Sequence, residues 1–250
     1  MPLDWHLRYL QQANWTSHIR EFLYRKANVD LAKIVLEVGC GTGAILNDRA
    51  FSSHTTRIGL DIDHPSLLSA KGWLKDPDYT NGDGHFLPFA DQTFDITFCH
   101  FLLLWVTHPV KVVEEMKRVT RPGGFVLAMA EPDYDGRIDH PKTFVKLGVL
   151  QKESLIQQGA KPDMGRKLRG LYSSVGFNKI EVGLLGGQWN GIPAKEEWEM
   201  EWQVLKSDLS GYASNEWIEK LQQEDIQSWQ KQERILFVPV FYAFGQVPGE

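Results

Sequence analysis

IVLEVGCGTGAIL, residues 34–46, places glycine at every second position (Gly39, Gly41 and Gly43), after the apolar run Ile34-Val35-Leu36 and its neighbour Val38. A short β-branched run closed by glycines reads as a buried strand entering a turn. Glycine tolerates positive φ and lets a ligand approach the backbone, and amides at a following helix start can bind a negative group. The loop therefore predicts a nucleotide-like cofactor. Gly39, Gly41 and Ala44 satisfy G-x-G-x-x-A, and Asp61 follows about 20 residues later, where an acid binds ribose hydroxyls in either cofactor class. These two features leave a dinucleotide and other adenosyl cofactors open. Glu37 separates them. A carboxylate inside a strand end is costly unless paired; an ammonium or sulfonium near the loop favours it, and a pyrophosphate does not.

On either side, strand and helix alternate. Residues 1–32 read as helical. The run 33–38 is a first strand, and AILNDRA after the glycines is expected to be a helix. RIGLDID (57–63), YTNGDG (79–84, a brief strand running into a turn), the start of FDITFCHFLLLW (94–105) and FVLAMAEP (125–132) supply four more strands. Pro65 and Pro109 fit the first turns of the helices between them, and Glu114 is placed to reach Arg118 at i,i+4. RPGG is read as a break before the fifth strand. Beyond 133 come helices at 142–159 and 165–177, a strand near KIEVGLL, two helices within 194–232, and a closing strand at 234–247. Five alternations at short spacing specify a mostly parallel sheet covered on both faces, with ligands beyond the carboxyl ends of its strands.

The chain has 250 residues, 42% of them hydrophobic, and a formal net charge of -5. That balance argues against a phosphate-backbone partner, which needs a basic footprint. The longest wholly apolar run, residues 101–106, is far short of the ~20 residues of a membrane span. MPLDWHLRYL has charges throughout and no apolar h-region, so it is not read as a secretory signal. Cys40 and Cys99 lack metal-type spacing and read as buried thiols in a reducing compartment. A cytoplasmic protein without a metal is expected.

Here the chain resembles a family. VLEVGCGTG is similar to the first motif of the class I S-adenosylmethionine-dependent methyltransferases, and GLDID, GDGHFLPFADQTFD, FCHFLLLW and MKRVTRPGGFVLAMAEP follow in the family's order. The flavour is that of the small-molecule branch related to the quinone-biosynthesis enzymes. The resemblance implies an α/β fold: a doubly wound, seven-stranded Rossmann-like sheet with its last strand antiparallel, helices on both faces and a helical lid. It implies one domain over 1–250, with a core at about 31–132, 165–187 and 234–247, and lid or substrate segments at 1–30, 133–164 and 188–233. Gly39, Gly41 and Gly43 would wrap the methionine and ribose of S-adenosylmethionine, and Glu37 would orient the loop or the cofactor's amino end. Asp61 would accept the ribose hydroxyls and Ile62 would pack on adenine. Asp83, with Gly84 beside it, would accept from the adenine amine, and His100 would sit near the methionine. Gly84 stands where the family commonly has alanine.

Methyl transfer from a sulfonium is an in-line displacement, so positioning in a dry pocket does most of the work. A hydroxyl acceptor needs a general base, and no spacing here defines one. His100, His108, Asp133, Tyr134, Asp139 and His140 are the candidates, each with a plainer structural reading. Trp198 and Trp202 share a helix face, as Trp217 and Leu221 can; with Trp5, Tyr9 and Trp15 they anchor a lid or line an apolar acceptor pocket. The expected reaction is methyl transfer to N, O or C of a small molecule. The rivals are a nicotinamide- or flavin-dependent oxidoreductase and a cofactor-binding subunit without chemistry. An RNA or protein acceptor fits the acidic balance less well.

Overall fold

The computed structural model describes residues 4–184 and 191–249; residues 185–190, assigned above to the end of one core segment and the start of a lid segment, lie outside the described residues, as do 1–3 and 250. The parallel strands Ile34–Val38 (β1), Thr56–Asp61 (β2), Asp78–Asn81 (β3), Phe94–Cys99 (β4) and Thr120–Pro132 (β5) alternate with helices His64–Trp73 (α3) and Pro109–Val119 (α4). Two N-terminal helices, Trp5–Trp15 (α1) and Ser17–Ala27 (α2), precede them. They part at Thr16, whose hydroxyl turns back to the carbonyls of Gln12 and Ala13. After β5 come Ile138–His140 (β6), Val145–Gln157 (α5), Met164–Val175 (α6), Asn178–Leu184 (β7), Lys195–Asp208 (α7), Asn215–Gln230 (α8), Ile235–Phe237 (β8) and Val240–Gln246 (β9).

Seven strands form one sheet in the order β3-β2-β1-β4-β5-β9-β7, and β9 runs antiparallel to both its neighbours. This is the expected seven-stranded, Rossmann-like arrangement. The pleat sends alternate residues to opposite faces: Leu36 and Val38 enter the core with Val112, Met116 and Leu168, while Val35 joins the core with Leu23 and Leu46. A third core, built on Phe144, Trp202, Leu205 and Leu221, unites α5, α7 and α8 into a helical cap.

Four local expectations are corrected. AILNDRA is a run of turns rather than a helix. Gly43 is left-handed at φ 75°, the Arg57 guanidinium takes the Leu46 carbonyl that a helix would use, and Asp48 is drawn to Arg20 and Tyr24. The strand expected at 234–247 splits at Pro239, which has no N–H to donate; β8 instead pairs with β6 in a small separate sheet. The fifth strand begins at Thr120, so RPGG lies inside it as an irregularity opposite β4. Arg118 pairs with Glu115 at 2.8 Å and Asp91 at 2.6 Å, not with Glu114.

The turn after β4 is held by a carboxylate from β5. Glu131 is fully buried, and its oxygens accept the backbone N–H groups of Leu102, Leu103 and Leu104 at 3.0, 2.8 and 3.0 Å. Burial raises its pKa to about 8 although the three amides favour the anion. The clamp fixes Phe101 in a left-handed conformation, φ 52°, a strained state for a bulky residue. Glu131→Gln retains the shape but turns an NH₂ group toward the Leu104 N–H. A loss of about 1–3 kcal/mol in urea denaturation is expected; unchanged stability would show that the clamp does not hold the turn.

Candidate active site

The carboxyl ends of β1, β2 and β4 open into a cavity of about 800 Å³, roofed by α1, α7 and α8. Glu37, Gly39, Gly41, Asp61 and His100 line it together. The glycine loop is tied down from β2: the Leu60 carbonyl accepts from the amides of Gly39 (2.7 Å) and Cys40 (3.0 Å), and Asp61 Oδ2 accepts from Gly41 N–H at 2.7 Å. Asp61 Oδ1 accepts from Asp63 N–H at 2.8 Å, so backbone bonds alone fix the orientation of this carboxylate. Gly39 and Gly41 are left-handed, at φ 75° and 51°. A Cβ on Gly39 would stand 2.6 Å from Leu102 Cδ1, and one on Gly41 3.0 Å from Tyr9 Cε2. The first glycine lets the loop meet the β4 turn, and the second lets it meet the roof.

Glu37 is 2% exposed, and its Oε2 has no hydrogen-bond partner. Burial pushes its pKa well above the ordinary carboxylate range; Asp48 and Asp61 add to the rise, and Arg20 opposes it. A buried acceptor facing a cavity without a protein donor is a feature that a cationic ligand satisfies. His100 bonds Thr16 Oγ1 through Nε2 at 2.7 Å. Burial, then the positive charge of Arg20, lower it to about 3, so it stays neutral at physiological pH.

The other four predicted cofactor residues do not line the cavity. Gly43 lies behind the loop, with its Cβ position 2.6 Å from the Tyr79 hydroxyl. Ile62 is 72% exposed beyond β2, where Asn81 binds its carbonyl and that of Asp61. Asp83 accepts both the backbone N–H and Nδ1 of His85, at 2.9 and 2.6 Å, and these bonds lower its pKa. Gly84 is small because a Cβ would meet Val38 at 3.0 Å. Asp83 and Ile62 sit at the ends of paired strands, β3 and β2, outside the cavity's present outline.

Most proton-transfer candidates are committed to structure. Asp139 is buried between Arg137 (2.6 Å) and Arg234 (3.0 Å), and Asp133 is held by Arg166 at 2.5 and 2.6 Å. His108 caps α4, with its N–H on His85 Nε2, and His140 is exposed. Tyr134 lines the cavity, but burial and Glu201 raise it to about 12, so it serves as a donor rather than a base. The roof contains residues the motifs do not mark. Tyr9 rests on Gly41, His6 bonds Thr42 at 2.8 Å and stacks on Trp73, and Arg8 bridges to Glu201 at 2.6 Å. Trp198 and Trp202 both donate their indole N–H to Asp225, at 2.7 and 3.1 Å, so the same pair anchors the cap and lines the cavity. Among the described residues no cluster of three or more His, Cys, Asp or Glu could hold a metal ion, and no helix is long and apolar enough to cross a membrane.

A methyltransferase-domain family model matches residues 36–128, the span of the loop and the first five strands. A malonyl-[acyl-carrier protein] O-methyltransferase of Erwinia pyrifoliae is 33% identical over 223 residues, covering 81% of this chain and 83% of that protein. The chain belongs to the class I S-adenosylmethionine-dependent methyltransferases. An uncharacterised methyltransferase of Schizosaccharomyces pombe is 32% identical over 149 residues, 54% of this chain, and the chain spans about half (53%) of that relative's length. This methyltransferase also shares its fold with the phosphoethanolamine N-methyltransferase 2 of Haemonchus contortus, solved with S-adenosyl-L-methionine: TM-score 0.60, 17% identity, 93% of this chain and 52% of that one.

A buried acid whose folded pKa lies above its unfolded value loses protein stability as pH rises from the unfolded toward the folded value. Glu37→Gln removes that loss. Thermal melts are expected to show the variant at least as stable as wild type near pH 5 and increasingly more stable as pH rises. A variant less stable by more than about 1 kcal/mol at neutral pH would mean that Glu37 supports the fold through its charge.

Proposed function

We propose that this methyltransferase takes its methyl group from S-adenosylmethionine and delivers it to a small organic acceptor held under α1, α7 and α8. The observation that carries the reading is the orphaned Glu37 Oε2, buried in the same cavity as Gly39, Gly41 and Asp61. These residues fit the donor: a backbone cradle where a Cβ would intrude, an acid fixed by amides at the end of β2, and a buried carboxylate wanting a cation. A pyridine dinucleotide would bring a pyrophosphate toward Glu37, which the carboxylate disfavours.

When bound, S-adenosylmethionine supplies a methyl group already activated on a sulfonium. The chain's own work is then positional. Glu37 holds positive charge at the base of the cavity, Asp61 receives the ribose hydroxyls, and Ile62 and Asp83 reach the adenine from the neighbouring strand ends. For Asp83 this requires exchanging its bond to the His85 ring for one to the adenine amine. His100 borders the methionine end as a neutral ring. Tyr9 and the rest of α1 cover the loop and exclude water. The Erwinia relative is a malonyl-[acyl-carrier protein] O-methyltransferase; the acceptor of this chain is argued from its own cavity. Two buried free thiols support a reducing, cytoplasmic setting.

Calorimetry with S-adenosylhomocysteine tests the donor. Wild type is expected to bind it, and Asp61→Ala to bind it more weakly by roughly 1–3 kcal/mol, because the ribose hydroxyls lose a charged acceptor. Equal affinity in the variant, or binding of NADH in preference to S-adenosylhomocysteine, would overturn the assignment.

A further inference from the structure

The roof of the cavity contains a second set of polar atoms that the donor does not account for. Arg8, on α1, is 7% exposed and lines the cavity. One of its amino groups, Nη1, makes both of its hydrogen bonds, to Gln11 Oε1 at 2.7 Å and Glu201 Oε2 at 2.6 Å. Its flat face lies over the Trp15 ring, 4.7 Å from the centroid. Nε and Nη2 make no hydrogen bond among the described residues. Those two N–H groups are the side-on fork that matches a carboxylate in a bidentate pair. Stacking on Trp15 and the bridge to Glu201 hold the fork in one orientation, so little side-chain entropy remains to be lost on binding.

Tyr134 supplies a third donor. Its hydroxyl makes no hydrogen bond among the described residues, it lines the same cavity, and it lies within the fields of Glu201, Arg8 and Arg137. Arg137 and Arg234 are occupied by Asp139, Gln151 and Asp225, which leaves Arg8, of the three arginines among the described residues that line the cavity, as the guanidinium with a free edge. The cavity wall is largely apolar, with Trp5, Trp15, Trp198, Leu205 and Trp229 among its members beside the acids Glu197, Glu201 and Asp225.

We propose that Arg8 and Tyr134 form an oxyanion subsite that selects acceptors bearing a carboxylate on an aromatic or otherwise apolar body. The inference rests on the donor reading above, in that the glycine-loop end of the cavity is assigned to S-adenosylmethionine. Arg8 is assigned to the acceptor because its neighbours Glu201 and Gln11 belong to the contact between α1 and α7, whereas Tyr9, the next residue on α1, covers the loop. In this arrangement Glu201 is a positioning residue, and Arg8 and Tyr134 set specificity.

The test is titration of the full chain, saturated with S-adenosylhomocysteine, with 2-naphthoate, neutral 2-naphthamide and cationic 2-naphthylmethylamine. The carboxylate is expected to bind at least ~10-fold more tightly than the amide or the amine. Arg8→Met should abolish that preference and Tyr134→Phe reduce it by roughly 3- to 10-fold, each leaving S-adenosylhomocysteine affinity within about 2-fold. Tyr134→Phe retains the ring and its packing, so it reports even if Arg8→Met destabilises α1. Three results overturn the subsite: no preference for the carboxylate in wild type, a preference that survives both substitutions, or a loss of S-adenosylhomocysteine affinity in Arg8→Met matching the loss of naphthoate, which would assign the fork to the donor's own carboxylate. Should wild type fail to bind S-adenosylhomocysteine, the donor reading is what fails; the same titrations of the free protein then decide the subsite by whether the preference exists and depends on Arg8 and Tyr134.

Discussion

Glu37 is the next-to-last residue of β1, with its carboxylate inside the protein, and Oε2 meets no donor. A fold stabilised chiefly by burying apolar surface tolerates such a group only by keeping it protonated or by surrounding it with compensating charge. Here both devices are present. Burial raises its pKa, and Arg20 stands close enough to oppose the rise while itself held by Asp48, Thr16 and the Ala13 carbonyl. The neighbourhood of β1 follows from this. Asp48 is needed beside Arg20, which bends the chain after the glycines into turns. α2 is needed to bring Arg20 and Tyr24, which ties the N-terminal segment to the sheet.

The cavity is therefore enclosed by elements that depend on one another. Glu131 fixes the β4 turn, the turn presents Leu102 to Gly39, and the glycine loop in turn receives Tyr9 from α1. α1 is also bonded to α7 through Arg8 and through Gln11, which donates to the Glu197 carbonyl. α7 is pinned to α8 by Asp225, which accepts both indole N–H groups and pairs with Arg234 at 2.6 Å. Buried ion pairs of this kind add little net stability but penalise any arrangement that separates them. Their contribution is specificity: they hold the roof in one register over the loop, so donor and acceptor would meet in a fixed geometry.

Much of this was legible in the sequence, for identifiable reasons. The glycine spacing, the acids at Asp61 and Asp83 and the alternation of short apolar runs are local patterns, and they gave a mostly parallel sheet and the position of the loop; the seven strands with an antiparallel last one came with the family resemblance, and the order of the strands is seen only in the fold. Glu37 could be singled out because a charge inside an apolar run conflicts with its surroundings. What stayed hidden was set by long-range partners. No local signal tells that Arg57 will take the Leu46 carbonyl and leave AILNDRA without a helix, or that β8 will leave the main sheet for β6, although Pro239 marks the break. Arg8 looks like a surface charge on an amphipathic helix until α7, 193 residues later, brings Glu201 to it. Asp83 reads correctly as a strand-end acid, but its bond to His85 depends on a turn geometry that NGDGH only permits.

The central claim is that Glu37 is held with its charge suppressed and becomes ionised when a cation is placed beside it. Calorimetric titration of S-adenosylmethionine at neutral pH, repeated in buffers of different ionisation enthalpy, reads this as proton release linked to binding. The account predicts that wild type releases a proton that Glu37→Gln does not, with weaker binding in the variant. Identical proton exchange and identical affinity in the two proteins would contradict it.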